Sequence, residues 1–168
     1  MDRNVDPHGG LPALLPKLFA FARVMLVDVE AARDIVQEAS ARALAAARVP
    51  ADPAAYRAWI FRIVRNAAID EIRRRRRPEI ELDATADLWR FDDARIAKIT
   101  VEQGLTMLVP EHREIISLID IAGFSYSDVA GLLEIPVGTV MSRITRAREA
   151  LLAAIDASSV RPLRSSHG

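Results

Sequence analysis

At 168 residues the chain is long enough for one medium domain or two small ones, each with a modest core. Its 23 lysines and arginines cancel its 23 aspartates and glutamates, and the lack of cysteine excludes a disulfide framework or a thiolate metal site. His8, His112 and His167 stand too far apart for a metal-ligand spacing, and no apolar run approaches the roughly 18 residues needed to cross a bilayer. No cofactor, no metal and no membrane insertion are therefore expected, and without a leader pattern the expected location is the cytoplasm. Half the residues are apolar, alanine and leucine abound and aromatics are scarce, which predicts an all-α fold. The zero net charge is laid out unevenly. Residues 1–77 hold 14 basic and 9 acidic side chains, residues 78–110 hold 3 and 7, and residues 111–168 hold 6 and 7. A basic first half hints at a polyanion partner, although a charge run also serves as a plain solvated face.

In chain order, residues 1–10 and 157–168 lack an apolar period and read as frayed ends. A first helix runs from Leu11 to Val27, with Pro12 and Pro16 near its first turn, and ends at a polar break over Asp28 to Glu30. A second helix reaches about Ala47, where "RVPADPAA" stops it. The third starts at Pro53 and runs into the arginines at 73–77, and Pro78 ends it. The acidic stretch "EIELDATADLWRFDDA" (79–94) reads as a linker, or as a short helix packed through Trp89 and Phe91. Four further helices are expected over 95–108, 111–122, 126–133 and 137–155, and the last two, split by "EIP", outline a helix-turn-helix.

On a helical wheel the stretch "VGTVMSRITRAR" (137–148) separates cleanly. Val140, Ile144, Ala147 and Leu151 share an apolar stripe, while Gly138, Thr139, Ser142, Thr145 and Arg146 lie on the other side. A merely wet face usually mixes glutamate and lysine, and residues 137–148 have neither. Small residues admit the helix backbone to a groove, and arginine can donate two hydrogen bonds to guanine or pair with phosphate. Arg143 and Arg148 flank the stripe and can reach either phosphate or a neighbouring acid. On the third helix, Tyr56, Ile60, Ile63, Val64 and Ala67 form the expected core stripe, and Trp59, Arg62, Asn66, Asp70 and Arg73 share another side. An aromatic edge beside arginine and an amide suits a single-stranded base, whereas the plainer reading packs Trp59 inward and pairs Asp70 with a neighbour.

The segment "FSYSDVAGLLEIPVGTVMSRITRARE" closely resembles the C-terminal helix-turn-helix of bacterial extracytoplasmic-function (ECF) sigma factors. "ARDIVQEASARAL" (32–44) and "YRAWIFRIVRNAAIDEIRRRRR" (56–77) resemble region two of the same family, and the two blocks together cover most of residues 11–155. The resemblance implies two small helical domains joined by a flexible linker: region two over 11–77, a linker over 78–94, and a four-helix region four over 95–155. It implies that Ser125, Tyr126, Gly138, Thr139, Met141, Ser142, Arg143, Thr145 and Arg146 face the minus-thirty-five promoter element. Met141 stands where the family often has a basic residue, and Glu134 stands where glycine is common in the turn. For the minus-ten element the resemblance implies the loop 49–55 with Asp52, then Tyr56, Trp59, Arg62, Asn66, Arg73 and Arg74. Asp34, Gln37, Glu38 and Arg42 match the segment that docks on RNA polymerase.

The implied partners are core RNA polymerase, promoter DNA and an anti-sigma protein, with a monomer when none is bound. The implied function is transcription initiation, with specific promoter choice and melting of the minus-ten element. A sigma-like decoy that binds only an anti-sigma protein is the main alternative, but such a mimic should lose the basic reading helix. An ordinary helix-turn-helix repressor leaves the first half without a purpose. An enzyme is least supported, since no nucleophile-base pair or phosphate-cradling glycine loop is visible.

Overall fold

The computed structural model describes residues 8–75 and 101–159, and every element among them is helical, as composition predicts. Three helices form the first unit: α1 (Leu11–Leu26), α2 (Val29–Ala45) and α3 (Pro53–Arg75). The second unit holds α4, helical over 101–107, α5 (Pro110–Ile116) with a π-helical turn at Ser117–Ile121, α6 (Tyr126–Leu133) and α7 (Val137–Ser159). The acidic segment 78–94 lies outside the described residues.

Local chemistry sets the boundaries. Pro12 falls in the first turn of α1, where a missing N–H is harmless. Pro16 lies inside that helix and removes one backbone donor. The helix stops at Val27, which is left-handed (φ 59°) and donates its N–H to the Arg23 carbonyl at 2.8 Å. Asp28 then caps α2 by accepting from the Ala31 N–H at 3.0 Å, so the break is two residues long rather than the three expected. Asp52 does the same for α3, accepting from the Ala55 N–H at 2.8 Å. At the other end, α7 continues through 157–159, residues expected to fray.

The core of the first unit is built from Leu18, Phe21 and Met25 of α1, Ala32, Val36 and Ala39 of α2, and Ile60, Phe61 and Val64 of α3. The stripe on α3 is rotated from its expected position: Phe61 and Ala68 are fully buried, while Ile63 and Ala67 are only partly so. Two neighbouring layers claim α3, the α1/α2 pair and the second unit, and a one-sided wheel cannot represent both. Ile115, Leu118, Val129, Val140 and Ile144 fill the second unit, and the buried residues of both units form one continuous cluster. Gly104 lets α4 lie close to α7, since an added Cβ would come within 3.0 Å of both Leu151 and Ile155.

The turn between α6 and α7 is made by Glu134 in the left-handed region (φ 57°, ψ 44°), with its N–H and that of Ile135 both donating to the Ala130 carbonyl. That conformation costs an L-residue about 1–2 kcal/mol, and glycine escapes the cost at an entropic penalty of roughly 0.5–1 kcal/mol. Glu134→Gly is therefore expected to stabilise the fold by about 0.5–1 kcal/mol, read as a higher midpoint in thermal denaturation. A lower midpoint would show that the glutamate side chain itself supports the turn.

Candidate nucleic-acid interface

The α6/α7 pair is positioned from both ends. Ser125 and Asp128 form a reciprocal capping box at the start of α6: the Asp128 N–H donates to the Ser125 hydroxyl and the Ser125 N–H donates to the Asp128 carboxylate, both at 3.1 Å. Val140, Ile144 and Ala147 are buried, anchoring one side of α7. Opposite them, Gly138, Met141, Ser142, Arg143, Thr145 and Arg146 are exposed and Thr139 is half-buried, the division the wheel predicts. The hydroxyls of Ser142 and Thr145 donate back to the carbonyls of Thr139 and Met141, each at 3.0 Å, a local resting bond that leaves their oxygens free to accept. Exposed Glu149 is the first acid along the helix and ends the cationic face.

The two flanking arginines differ. Arg148 is held by Asp120 of the π-helical turn, with Nη2 at 2.6 Å and Nε at 3.2 Å from the carboxylate. Among the described residues Arg143 and Arg146 form no ion pair. Ser125 is committed to its cap and Tyr126 is half-buried, so within this pair of helices α7 carries the accessible donors.

On α3, Arg62, Asn66, Asp70 and Arg73 are exposed on one side, and Trp59 sits half-buried with its ring 5.5 Å from that of Tyr56. Asp70 and Arg73 form only a loose pair at 4.0 Å in open solvent. Tyr56 takes the place in the core stripe that the wheel predicts, and not one on the minus-ten side that the resemblance implies. It is 4% exposed, belongs to the core and has its hydroxyl 3.2 Å from His8 Nδ1, so it supports Trp59 from beneath and offers no face to a base. Asp52 is exposed, with one carboxylate oxygen engaged as the α3 cap. Residues 8–10, expected to fray, are thus drawn against α3 through His8. Asp34, Gln37, Glu38 and Arg42 all lie exposed on one side of α2, where Arg42 pairs with Glu38.

The described arginines of the run, Arg73 to Arg75, do not form a single basic patch. Arg75 donates to Glu71 at 2.6 Å and to Asp28 at 2.9 Å, clipping the end of α3 to the cap of α2, while Arg74 also takes Glu71 at 2.8 Å. Arg73 is left as the most available of the three. The Ala31 N–H, aided by Arg75, holds the Asp28 carboxyl below its usual range. Since its folded pKa lies below the unfolded value, its stabilising contribution is complete above roughly pH 4 and is lost as the pH falls through the lowered value. Asp28→Ala is expected to cost about 1 kcal/mol at pH 7, the loss of a helix cap. Urea titrations at pH 7 and near pH 3 should show the gap from the wild type narrowing in acid, and a pH-independent gap would mean that the carboxylate charge contributes nothing.

Arg57, Arg65 and Glu114, which the wheels do not single out, are among the polar residues that join the two units. Arg57 lies over the Phe124 ring at 4.0 Å and donates to the Ala122 carbonyl, and Arg65 Nε meets Glu114 Oε1 at 2.6 Å. One sequence signal exists for this pairing: Glu114 directly precedes the apolar run "IISLI", and an acid buried to 7% exposure needs a cation.

Comparison with known proteins agrees with this geometry. Sigma-70 region 2 matches residues 13–78 and Sigma-70 region 4 matches residues 99–151. The ECF RNA polymerase sigma factor EcfG of Rhodopseudomonas palustris is 34% identical over 145 residues, 84% of this chain and 80% of that protein. SigC of Mycobacterium tuberculosis is 34% identical over 137 residues, 76% and 72% of the two chains. Among solved structures, the sigma factor RpoE of Bartonella quintana in complex with the anti-sigma factor NepR matches with TM-score 0.65 and 29% identity, over 90% of this chain and 96% of that one. CnrH in complex with the cytosolic domain of CnrY matches with TM-score 0.64 and 31% identity, over 88% and 85%. With both regions matched in order, and an acid-free exposed face on the second helix of its helix-turn-helix, this chain belongs to the ECF sigma factors.

Proposed function

We propose that this sigma factor binds core RNA polymerase, directs it to a specific class of promoters and promotes opening of the minus-ten element. The observation that carries the reading is the exposed face of α7, where Gly138, Ser142, Thr145 and Arg146 present small, hydroxyl and cationic groups with no acid before Glu149. That face fits the major groove of the minus-thirty-five duplex. A decoy for an anti-sigma protein would have no use for it.

On the first unit, Trp59 supplies a stacking edge, and Arg62, Asn66 and Arg73 supply amide and cationic donors beside it. Stacking worth roughly 1–3 kcal/mol per captured base is comparable to the cost of unstacking one step, so binding energy alone can bias the duplex towards its opened form. No covalent step is needed. The exposed side of α2 with Asp34, Gln37, Glu38 and Arg42 is the polymerase-docking surface, and an anti-sigma protein is the regulating partner, as in the two solved complexes of relatives.

Transcription from a promoter library with purified core polymerase tests the reading. The wild type should select a defined promoter set. Trp59→Ala should keep minus-thirty-five binding while lowering open-complex formation on those promoters by roughly 5- to 100-fold. Transcription that does not depend on the added protein would refute the proposal.

A further inference from the structure

Along the exposed side of α7 two rows of side chains run in parallel, each at four-residue spacing. Gly138, Ser142 and Arg146 make one row, small at its start and cationic at its end. Val137, Met141 and Thr145 make the row beside it. Two members of that second row are apolar and outward, with Val137 43% and Met141 51% exposed. Thr145 joins them, because its hydroxyl hydrogen is spent on the Met141 carbonyl at 3.0 Å and its methyl is what remains to meet an apolar neighbour. Gly138 adjoins both Val137 and Met141, and a Cβ added there would meet nothing within 4 Å. The fold has no steric need of glycine at that position, and the bare backbone leaves room for a ligand edge to come close.

A single exposed apolar side chain is ordinary on a protein surface. Here the apolar row borders the acid-free cationic row, so one continuous face offers both kinds of contact. Against a base edge the two rows suit different partners. In the major groove adenine, guanine and cytosine present hydrogen-bonding groups, and thymine alone presents a methyl. A thioether satisfies none of those polar groups and would leave them buried and unpaired, whereas it packs closely on a methyl.

We propose that Met141, flanked by Val137 and the Thr145 methyl, recognises the 5-methyl group of a thymine in the minus-thirty-five duplex. The choice of base rests on the promoter function proposed above and adds to it the identity of one base. Met141 and Arg146 are five residues apart, roughly 7.5 Å along the helix axis, and successive base pairs are about 3.4 Å apart. With α7 laid along the groove, the thymine falls about two base pairs from the pair that Arg146 reads. The cationic row then supplies attraction and a polar contact, while Met141 rejects bases that lack the methyl.

The test uses the full chain assembled with core RNA polymerase and the duplex that this holoenzyme selects from a library randomised over the minus-thirty-five element. Each thymine of the selected element is replaced in turn by deoxyuridine, which removes the 5-methyl group and keeps every hydrogen-bonding group. One such replacement should weaken competition binding by the wild type roughly 3- to 10-fold, the scale expected for one buried methyl. For Met141→Ala, thymine and deoxyuridine at that position should bind equally, to within about 1.5-fold. Met141→Leu keeps an apolar side chain of similar volume and should still prefer thymine by about two-fold or more. Arg146→Ala should lower affinity for both duplexes and leave their ratio unchanged. Position 141 is exposed and both replacements favour helix, so the fold is kept.

A selected element without thymine, or one in which no replacement costs more than about 1.5-fold, would overturn the methyl contact and leave the promoter reading standing. Equal losses for the wild type and Met141→Ala would also overturn it, because another group would then meet the methyl. If the holoenzyme selects no element at all, the promoter reading fails, and the methyl contact fails with it.

Discussion

Arg146→Ala is expected to weaken binding to the minus-thirty-five duplex by roughly 5- to 150-fold, about 1–3 kcal/mol, and to relax discrimination at the base pair it reads. Arg146 is exposed at the centre of the α7 face, and among the described residues no acid holds it. Val140, Ile144 and Ala147 fix the rotation of the helix from behind, so Arg146 stands on the outward side before DNA arrives and only its own rotamers remain to be ordered. Arg148→Ala is the matched control. Arg148 is tied to Asp120 in a half-exposed pair, and its loss should change DNA affinity no more than a few-fold and stability by at most about 1 kcal/mol. Fluorescence anisotropy with a specific and a scrambled duplex separates the two. Equal, sequence-independent losses from both variants would reduce α7 to a general phosphate binder.

Phe61→Ala carries the largest expected effect on stability, about 3–5 kcal/mol, because a fully buried aromatic is removed from a packed site. Phe61 stands between two rings, Phe21 of α1 at 5.5 Å and Phe124 of the second unit at 4.9 Å, and both meetings are edge-on. Its loss opens a cavity where α1, α3 and the second unit converge. At roughly 2–4 °C per kcal/mol for a chain of this size, the thermal midpoint should fall by about 6–20 °C. Phe61→Leu, which keeps most of the volume, should retain more than half of the lost stability. A drop of only 1–2 °C for the alanine variant would mean that the junction between the units contributes little to the folded state.

Much of this protein was readable without coordinates. The helix starts follow from proline and aspartate at first turns and caps, as at Pro53 with Asp52 before it. The division of α7 into buried and exposed sides follows from a period that one helix imposes on its own sequence. Where a segment packs on two sides the single-stripe reading fails, which is why Phe61 and Ala68, rather than Ile63 and Ala67, proved fully buried. The wheel places Tyr56 in the core stripe while the resemblance places it on the minus-ten side, and the folded chain follows the wheel, with the hydroxyl against His8. The arginines at 73–77 stand in plain view in the sequence, but their partners do not: Glu71 and Asp28 take up Arg74 and Arg75, and only distance in space reveals that.

The sequence by itself therefore determined the all-α fold, the order of the two regions and the division of α7 into a buried side and an acid-free exposed face, because each is encoded in local periodicity, capping and a contiguous motif. The tertiary structure alone decided which arginines are free. Arg57, Arg62, Arg65, Arg75 and Arg148 find acceptors 28 to 69 residues away along the chain. A guanidinium's partner is chosen by three-dimensional proximity and by the need to satisfy buried or half-buried acceptors, and no spacing along one chain specifies it.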